Sequence, residues 1–221
     1  MEQQKTARSN LYIMIAAGLL AIWGLVAVGI VIGRDISIPT QTVRAQASGS
    51  IFVVGKSAPT RATLISIDGT ATSLALGRKA TVVLAMATWC KYCGYMDKWV
   101  LPSLAKDSGV KVDAIDVSPV GGVANPGPKF PEFSGADGMG STDLSESGMV
   151  KGLREYVLEY GIGNRGIDFY VATGQTRQQW HITALPTVIV LDSRGVVTLQ
   201  HPGAMTLSEL AAAIYGALRK H

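Results

Sequence analysis

From Ala80 to Ala87 the chain reads Ala-Thr-Val-Val-Leu-Ala-Met-Ala, apolar at nearly every position and rich in β-branched residues, the pattern of a strand buried on both faces. Gly94-Tyr-Met-Asp-Lys-Trp-Val-Leu101 then reads as helix. Pro102 is expected to kink or end that first segment, leaving 103–107 as a last turn before Gly109 stops it. Val110 to Val117 alternates as a strand does, so strand, helix and strand make the β-α-β unit of a sheet with a parallel core. Upstream, Ala62 to Ile67, the turn Asp68-Gly69 and Ala71 to Leu76 predict a strand, a tight turn and a second short strand. Downstream, Met149 to Tyr160 sets Val150, Leu153, Val157 and Leu158 at helical spacing, Phe169 to Ala172 reads as a short strand, and Thr176 to Ile182 as a short helix. Val188 to Leu191, the turn Asp192-Ser-Arg-Gly195, and Val196 to Leu199 make a hairpin. Thr206-Leu-Ser-Glu209 has capping-box spacing, which predicts a final helix to about Arg219 that buries Leu207, Leu210, Ala211, Ile214 and Leu218.

Two stretches break these periods. Leu11 to Gly33 is uninterrupted by charge. At about 1.5 Å per residue it is long enough to cross the roughly 30 Å hydrocarbon core of a bilayer as a helix. A signal peptide has a shorter apolar region with its cleavage site close behind, whereas the small-residue candidate Ala45-Gln-Ala47 lies well downstream, so an uncleaved transmembrane anchor is the favoured reading. Lys5 and Arg8 before it nearly balance Arg34 and Arg44 after it, and charge alone does not set the orientation. A short tail before the helix and a whole domain after it suit a signal anchor with a cytoplasmic N-terminus. The expected organisation is a tail at 1–10, an anchor at 11–33, a polar linker at 34–50 and a domain at 51–221.

The second stretch, 118–148, is dense in Gly, Pro, Ser and Asn and reads as an inserted loop. Loops this long are often functional, though a passive surface excursion fits the composition as well. Phe130 and Phe133 on it are candidates for contact with a partner protein.

Composition narrows the class. The 221 residues are 48% hydrophobic and 16% charged, which excludes a wholly disordered chain and leaves room for a real core. The net charge of +4 is spread along the chain without a basic stripe or interleaved aromatics, which gives little support to nucleic-acid binding.

The only two cysteines stand in Thr88-Trp89-Cys90-Lys91-Tyr92-Cys93, where the buried strand hands over to the helix. Two intervening residues let both thiols meet at the first turn, where unpaired backbone N–H groups and the positive end of the helix dipole favour a thiolate on Cys90. A redox dithiol follows, with Cys90 attacking and Cys93 resolving. A structural disulfide across so short a loop would stabilise little, and a zinc site would need ligands that His181, His201 and His221 do not supply at close spacing. Neither metal nor cofactor is called for.

The order of elements, together with Gly55-Lys-Ser-Ala-Pro59, Asp68-Gly69, Ala87-Thr-Trp-Cys90-Lys-Tyr-Cys93, and Leu185-Pro-Thr187 followed by Val188-Ile-Val-Leu-Asp192 and Gly195, resembles the thioredoxin superfamily. The nearer resemblance is to its membrane-anchored TlpA/ResA-like thiol-disulfide oxidoreductases, from about Val54 to the C-terminus apart from the insertion. It implies an α/β thioredoxin-like fold with a central mixed sheet flanked by helices, a cis Pro186 lying against the cysteines, Trp89 packed beside Cys90, a backbone at Leu185 that pairs with an extended substrate, and Thr187 next to it among the residues that bind substrate or shape the site. Lys91 and Tyr92 lie between the cysteines and shape the site. The resemblance also implies client proteins with disulfides or thiols, recharging by a membrane electron-transfer partner, an extracytoplasmic location on the cell membrane, and a reductase role such as cytochrome c maturation. A disulfide-forming oxidase or isomerase is the alternative, and a Sco-like copper chaperone is disfavoured by the cysteine gap. Leu84, Met96 and Lys98 stand where relatives carry a buried acid, a glutamate and a proline. Asp97 is the nearest substitute acid, at a position where a solvated charge is the ordinary reading.

Overall fold

The structure, a computed structural model, describes residues 50–218. The expected tail, anchor and nearly all of the linker lie outside these residues. Among the described residues no helix is long and apolar enough to cross a membrane.

The fully buried run Ala80–Met86 forms β3 at the centre of a seven-stranded mixed sheet. In chain order its partners are β1 (Leu64–Ser66), β2 (Ala71–Thr72), β4 (Val110–Asp116), β5 (Asp168–Ala172), β6 (Thr187–Asp192) and β7 (Val197–Pro202). The sheet runs β2-β1-β5-β4-β3-β6-β7. Its parallel core is β3, β4 and β5, and the β1–β2 and β6–β7 hairpins complete it antiparallel on either side.

Because side chains alternate along a strand, both faces of β3 must be covered. Val82, Leu84 and Met86, with Val112, Ala114, Val188 and Val190, face three helical units: the cysteine helix, α3 (Glu146–Tyr160) and α5 (Leu207–Leu218). Val83, Ile115, Ile189 and Leu191 face the other way, against Phe52, Ala58, Ala62 and Trp180 of α4 (Gly174–Trp180). Phe52 meets the Trp180 ring edge-on at 5.0 Å.

The cysteine helix begins as α1 (Lys91–Tyr95), widens into a π-helical segment (Met96–Val100), and closes as α2 (Leu101–Leu104). Pro102 therefore does not end the helix. Its ring would clash with a carbonyl one turn back and it has no N–H to donate, and the wider turn ahead of it, closed by Leu101 N–H on the Met96 carbonyl, accommodates both. Two expected core residues are on the surface. Leu158 is 80% exposed, because the buried stripe of α3 runs through Met149, Leu153, Tyr156 and Tyr160 and Leu158 falls beside it. Leu207 is exposed because it opens α5 one turn before Leu210, the first residue of that helix to reach the core. The capping box itself is formed, with Thr206 N–H donating to the Glu209 carboxylate at 2.8 Å and Glu209 N–H to the Thr206 hydroxyl at 3.4 Å.

The inserted stretch carries no strand or helix before Ser145, the N-cap of α3. Its two arms nonetheless lie against each other, with reciprocal 2.9 Å backbone bonds between Asn125 and Ala136 and a bridge between Val120 and Asp143. Gly138 is required there, since a Cβ on it would fall 1.8 Å from the Val123 carbonyl oxygen.

Candidate active site

Cys90 is the N-cap of α1, with extended φ and ψ, and its sulfur accepts from the Cys93 N–H at 3.2 Å. The two residues are joined as a disulfide with Cα atoms 5.2 Å apart. Cys90 keeps 3% of its surface and Cys93 none, so an incoming sulfur meets Cys90 first. Trp89 is half-buried beside it, its indole N–H donating to the Ser118 hydroxyl at 3.0 Å. Lys91 places its ammonium 5.0 Å from the Tyr92 ring, and Tyr92 is 41% exposed.

The Leu185–Pro186 peptide is cis. Thr187 pairs with Ala85, so the antiparallel register carries Leu185 and Pro186 to the end of β3 from which the cysteine turn leaves. Pro186 and Thr187 are buried and Leu185 is half-buried against the same core cluster as the cysteines. Every expected site residue is thus at one end of the sheet. His181 is not among them. It is an exposed, left-handed residue closing α4.

The insertion is built onto the cysteine turn. Ala124 N–H donates to the Thr88 carbonyl and Gly138 N–H to the Trp89 carbonyl, both at 2.9 Å, and the Thr88 hydroxyl donates to the Gly122 carbonyl at 2.7 Å. The Asp137 carboxylate accepts the Lys91 N–H at 2.8 Å, which takes one of the free donors at the head of α1. Phe133 lies 4.3 Å from the Tyr95 ring and 5.8 Å from that of Tyr92, so it serves internal packing, whereas Phe130 is 69% exposed.

Asp97 is the main correction to the sequence reading. It is fully buried, not a solvated charge. The π turn directs it into the core, where one carboxylate oxygen accepts from the Tyr156 hydroxyl at 2.5 Å and the other has no partner among the described residues. Burial pushes its pKa up to about 7, and the Tyr156 hydrogen bond only partly opposes this. It lies four residues beyond Cys93 along the helix, the spacing at which side chains are neighbours. A second buried acid, Asp116, ends β4 and was not singled out from sequence. Burial raises it to about 7, against the Ser118 N–H bond and the Arg177 charge, and Asp97 adds repulsion. An acid closing a central parallel strand, at the sheet end where α/β folds place their sites, was the available signal. Tyr160 completes the group, donating to the Ala124 carbonyl at 2.5 Å and coming so close to the helix that a Cβ on Gly94 would meet its hydroxyl at 2.7 Å.

A scan against protein-family models and a search of curated proteins match nothing in this sequence. Solved structures do match. A candidate electron transfer protein of Aquifex aeolicus VF5 superposes with a TM-score of 0.53 at 17% identity, covering 76% of this chain and all of that one (100%). An uncharacterized conserved protein of Geobacillus kaustophilus gives 0.52 at 17%, covering 77% and 85%. The structure of MTB dsbF in its mixed oxidized and reduced forms gives 0.50 at 17%, covering 72% and 96%. The fold is thioredoxin-like. At these identities the likeness is one of fold, and the chemistry rests on the site itself.

Proposed function

We propose that the protein is a thiol-disulfide oxidoreductase, held at the extracytoplasmic face of a membrane by Leu11 to Gly33 and acting as a reductase of client protein disulfides. The observation that carries the reading is the Cys90–Cys93 disulfide at the head of α1, beside a cis Pro186, in a thioredoxin-like fold. In the reduced form the Cys90 thiolate attacks one sulfur of a client disulfide, the client S–S bond breaks, and the departing client thiolate takes up a proton. Cys93 then gives its proton to Asp97, and its thiolate attacks the Cys90 sulfur. The mixed disulfide breaks, the second client sulfur leaves as a thiolate that takes up a proton, Asp97 releases the one it accepted, and the Cys90–Cys93 disulfide remains. A dithiol donor, here a membrane electron-transfer partner, returns two electrons and two protons. The Leu185 backbone pairs with the client segment, and Phe130 on the insertion contacts it.

Direction follows from what stabilises the reduced form. A strongly stabilised thiolate makes a dithiol oxidising. Here the Asp137 carboxylate sits at the pole where the Cys90 thiolate would be favoured, and the Lys91 ammonium lies against the Tyr92 ring, which supports the reducing side. The membrane assignment is supported by the unbroken apolar segment alone.

Two measurements on the full chain in detergent test this. Cys93→Ser should accumulate a mixed disulfide with a peptide disulfide substrate, and Cys90→Ser should not; equal trapping by both variants would remove the assigned order of attack. Equilibration with glutathione or dithiothreitol should place the potential near or below about -250 mV, whereas a value above about -150 mV turns the reading to disulfide formation.

A further inference from the structure

On the first face of the sheet, below the cysteine helix, a pocket of about 380 Å³ is walled by three separate stretches of chain. The helix and the turn after it bring Lys98, Trp99, Ser103 and Lys106, the insertion brings Lys129, and the α3–β5 loop brings Asn164 and Arg165. Half of the lining residues are cationic and none is acidic. Elsewhere Lys79 is paired with Asp107, Lys111 with Asp113 and Asp168, Lys151 with Glu155, and Arg194 with Asp192, while Arg78, Arg154 and Arg177 donate to backbone carbonyls. None of the four pocket cations has a carboxylate partner among the described residues. Lys98 instead lies 5.3 Å from the Trp99 ring and 5.5 Å from the Tyr160 ring.

Like charges converging on one concavity repel, and low-dielectric walls concentrate their field on the space between them. A multiply charged anion relieves that repulsion. Three ammonium groups supply point charges and Arg165 a planar fork, a donor set matched to phosphate oxygens. The volume lies in the small-molecule range, larger than one phosphate requires, and Trp99 offers a flat apolar wall beside the charges. We propose that this pocket binds a ligand carrying more than one negative charge on phosphate groups, either a soluble phosphorylated compound or the headgroup of an acidic phospholipid. Lys129 ties the pocket to the cysteine site, because its carbonyl accepts from the Tyr95 hydroxyl at 3.2 Å, two residues beyond Cys93.

Calorimetric titration of the full chain in nonionic detergent at low salt, with pyrophosphate as the probe, tests the site. One saturable site per chain is expected, weakened about tenfold or more in the Lys106→Gln, Arg165→Gln double variant. Lys56→Gln with Arg61→Gln removes the same charge elsewhere on the surface and should leave the affinity unchanged. If the natural source is a lipid, adding cardiolipin, whose headgroup carries two phosphates, to the micelles displaces pyrophosphate while phosphatidylcholine does not. If the source is soluble, pyrophosphate binds undiminished in both. Absence of a saturable site, or equal weakening by the two double variants, would overturn the proposal.

Discussion

Asp137 and Cys90 compete for the same end of one short helix. The carboxylate accepts the Lys91 N–H at 2.8 Å, and the sulfur of Cys90 accepts the Cys93 N–H at 3.2 Å. Removing the charge while keeping the acceptor, as in Asp137→Asn, should lower the Cys90 pKa by about half a unit, the size of a surface charge acting at a helix end. Ultraviolet absorbance of the thiolate against pH reads this directly. Asp137→Glu should keep the parent value, and added salt should shrink the difference. A Cys90 pKa indifferent to the Asn variant would mean that Asp137 is a structural cap only. The cysteines were legible in sequence because their spacing is a local fact. Asp137 was not, since its partner lies 46 positions away. Asp97 was misjudged for the same reason: its burial is decided by Tyr156, 59 positions on, and by a π turn that no residue pattern announces.

At the scale of elements, the insertion is a part of the cysteine site with no regular structure of its own. Its hold comes from backbone bonds to Thr88 and Trp89 and from Phe133 wedged against Tyr92 and Tyr95. Aromatic pairs contribute roughly 0.5–1.5 kcal/mol each beyond the area they bury. Phe133→Ala should therefore open the insertion locally, raising amide exchange at Ala124 and Gly138 about tenfold or more, while strands β3 and β4 keep their protection. Phe130→Ala should leave exchange unchanged and slow only the reaction with a client. If Phe133→Ala loosened the sheet as much as the insertion, the two would be one cooperative unit. The strands and helices were legible because each is written in a period of a few residues. The insertion's glycines and prolines announced only that neither period continued, and the bonds that order it are long-range.

For the whole molecule, the thioredoxin-like order was legible from local units, since hairpins and a β-α-β crossover leave few ways to assemble a sheet. The docking of β1 beside β5, far apart in sequence, was not. Assembly also buries four carboxylates among the described residues, Asp97, Asp113, Asp116 and Asp192, and raises the pKa of the first three. Asp97 and Asp116 are raised by burial to about 7, and Asp113 by burial to about 6 although Lys111 pulls it down. Each has a folded pKa above its unfolded value, so between those two values the native state holds a proton that the unfolded chain has released. Stability from these groups is then greatest below about pH 4, falls as the pH rises toward 7, and is flat beyond. At about 1.4 kcal/mol per unit, a group raised by roughly three units accounts for at most about 4 kcal/mol. Calorimetry of the oxidised chain should show the melting temperature declining from about pH 5 to about pH 8. Asp97→Asn, which still accepts from Tyr156, should make that decline shallower. A melting temperature that rose over the interval, or an unchanged slope in the variant, would mean that Asp97 is ionised in the fold throughout. Its pKa would then lie well below that of the Cys93 thiol, leaving it too weak a base for that proton, so this stability curve and the resolving step of disulfide exchange rest on the same raised pKa.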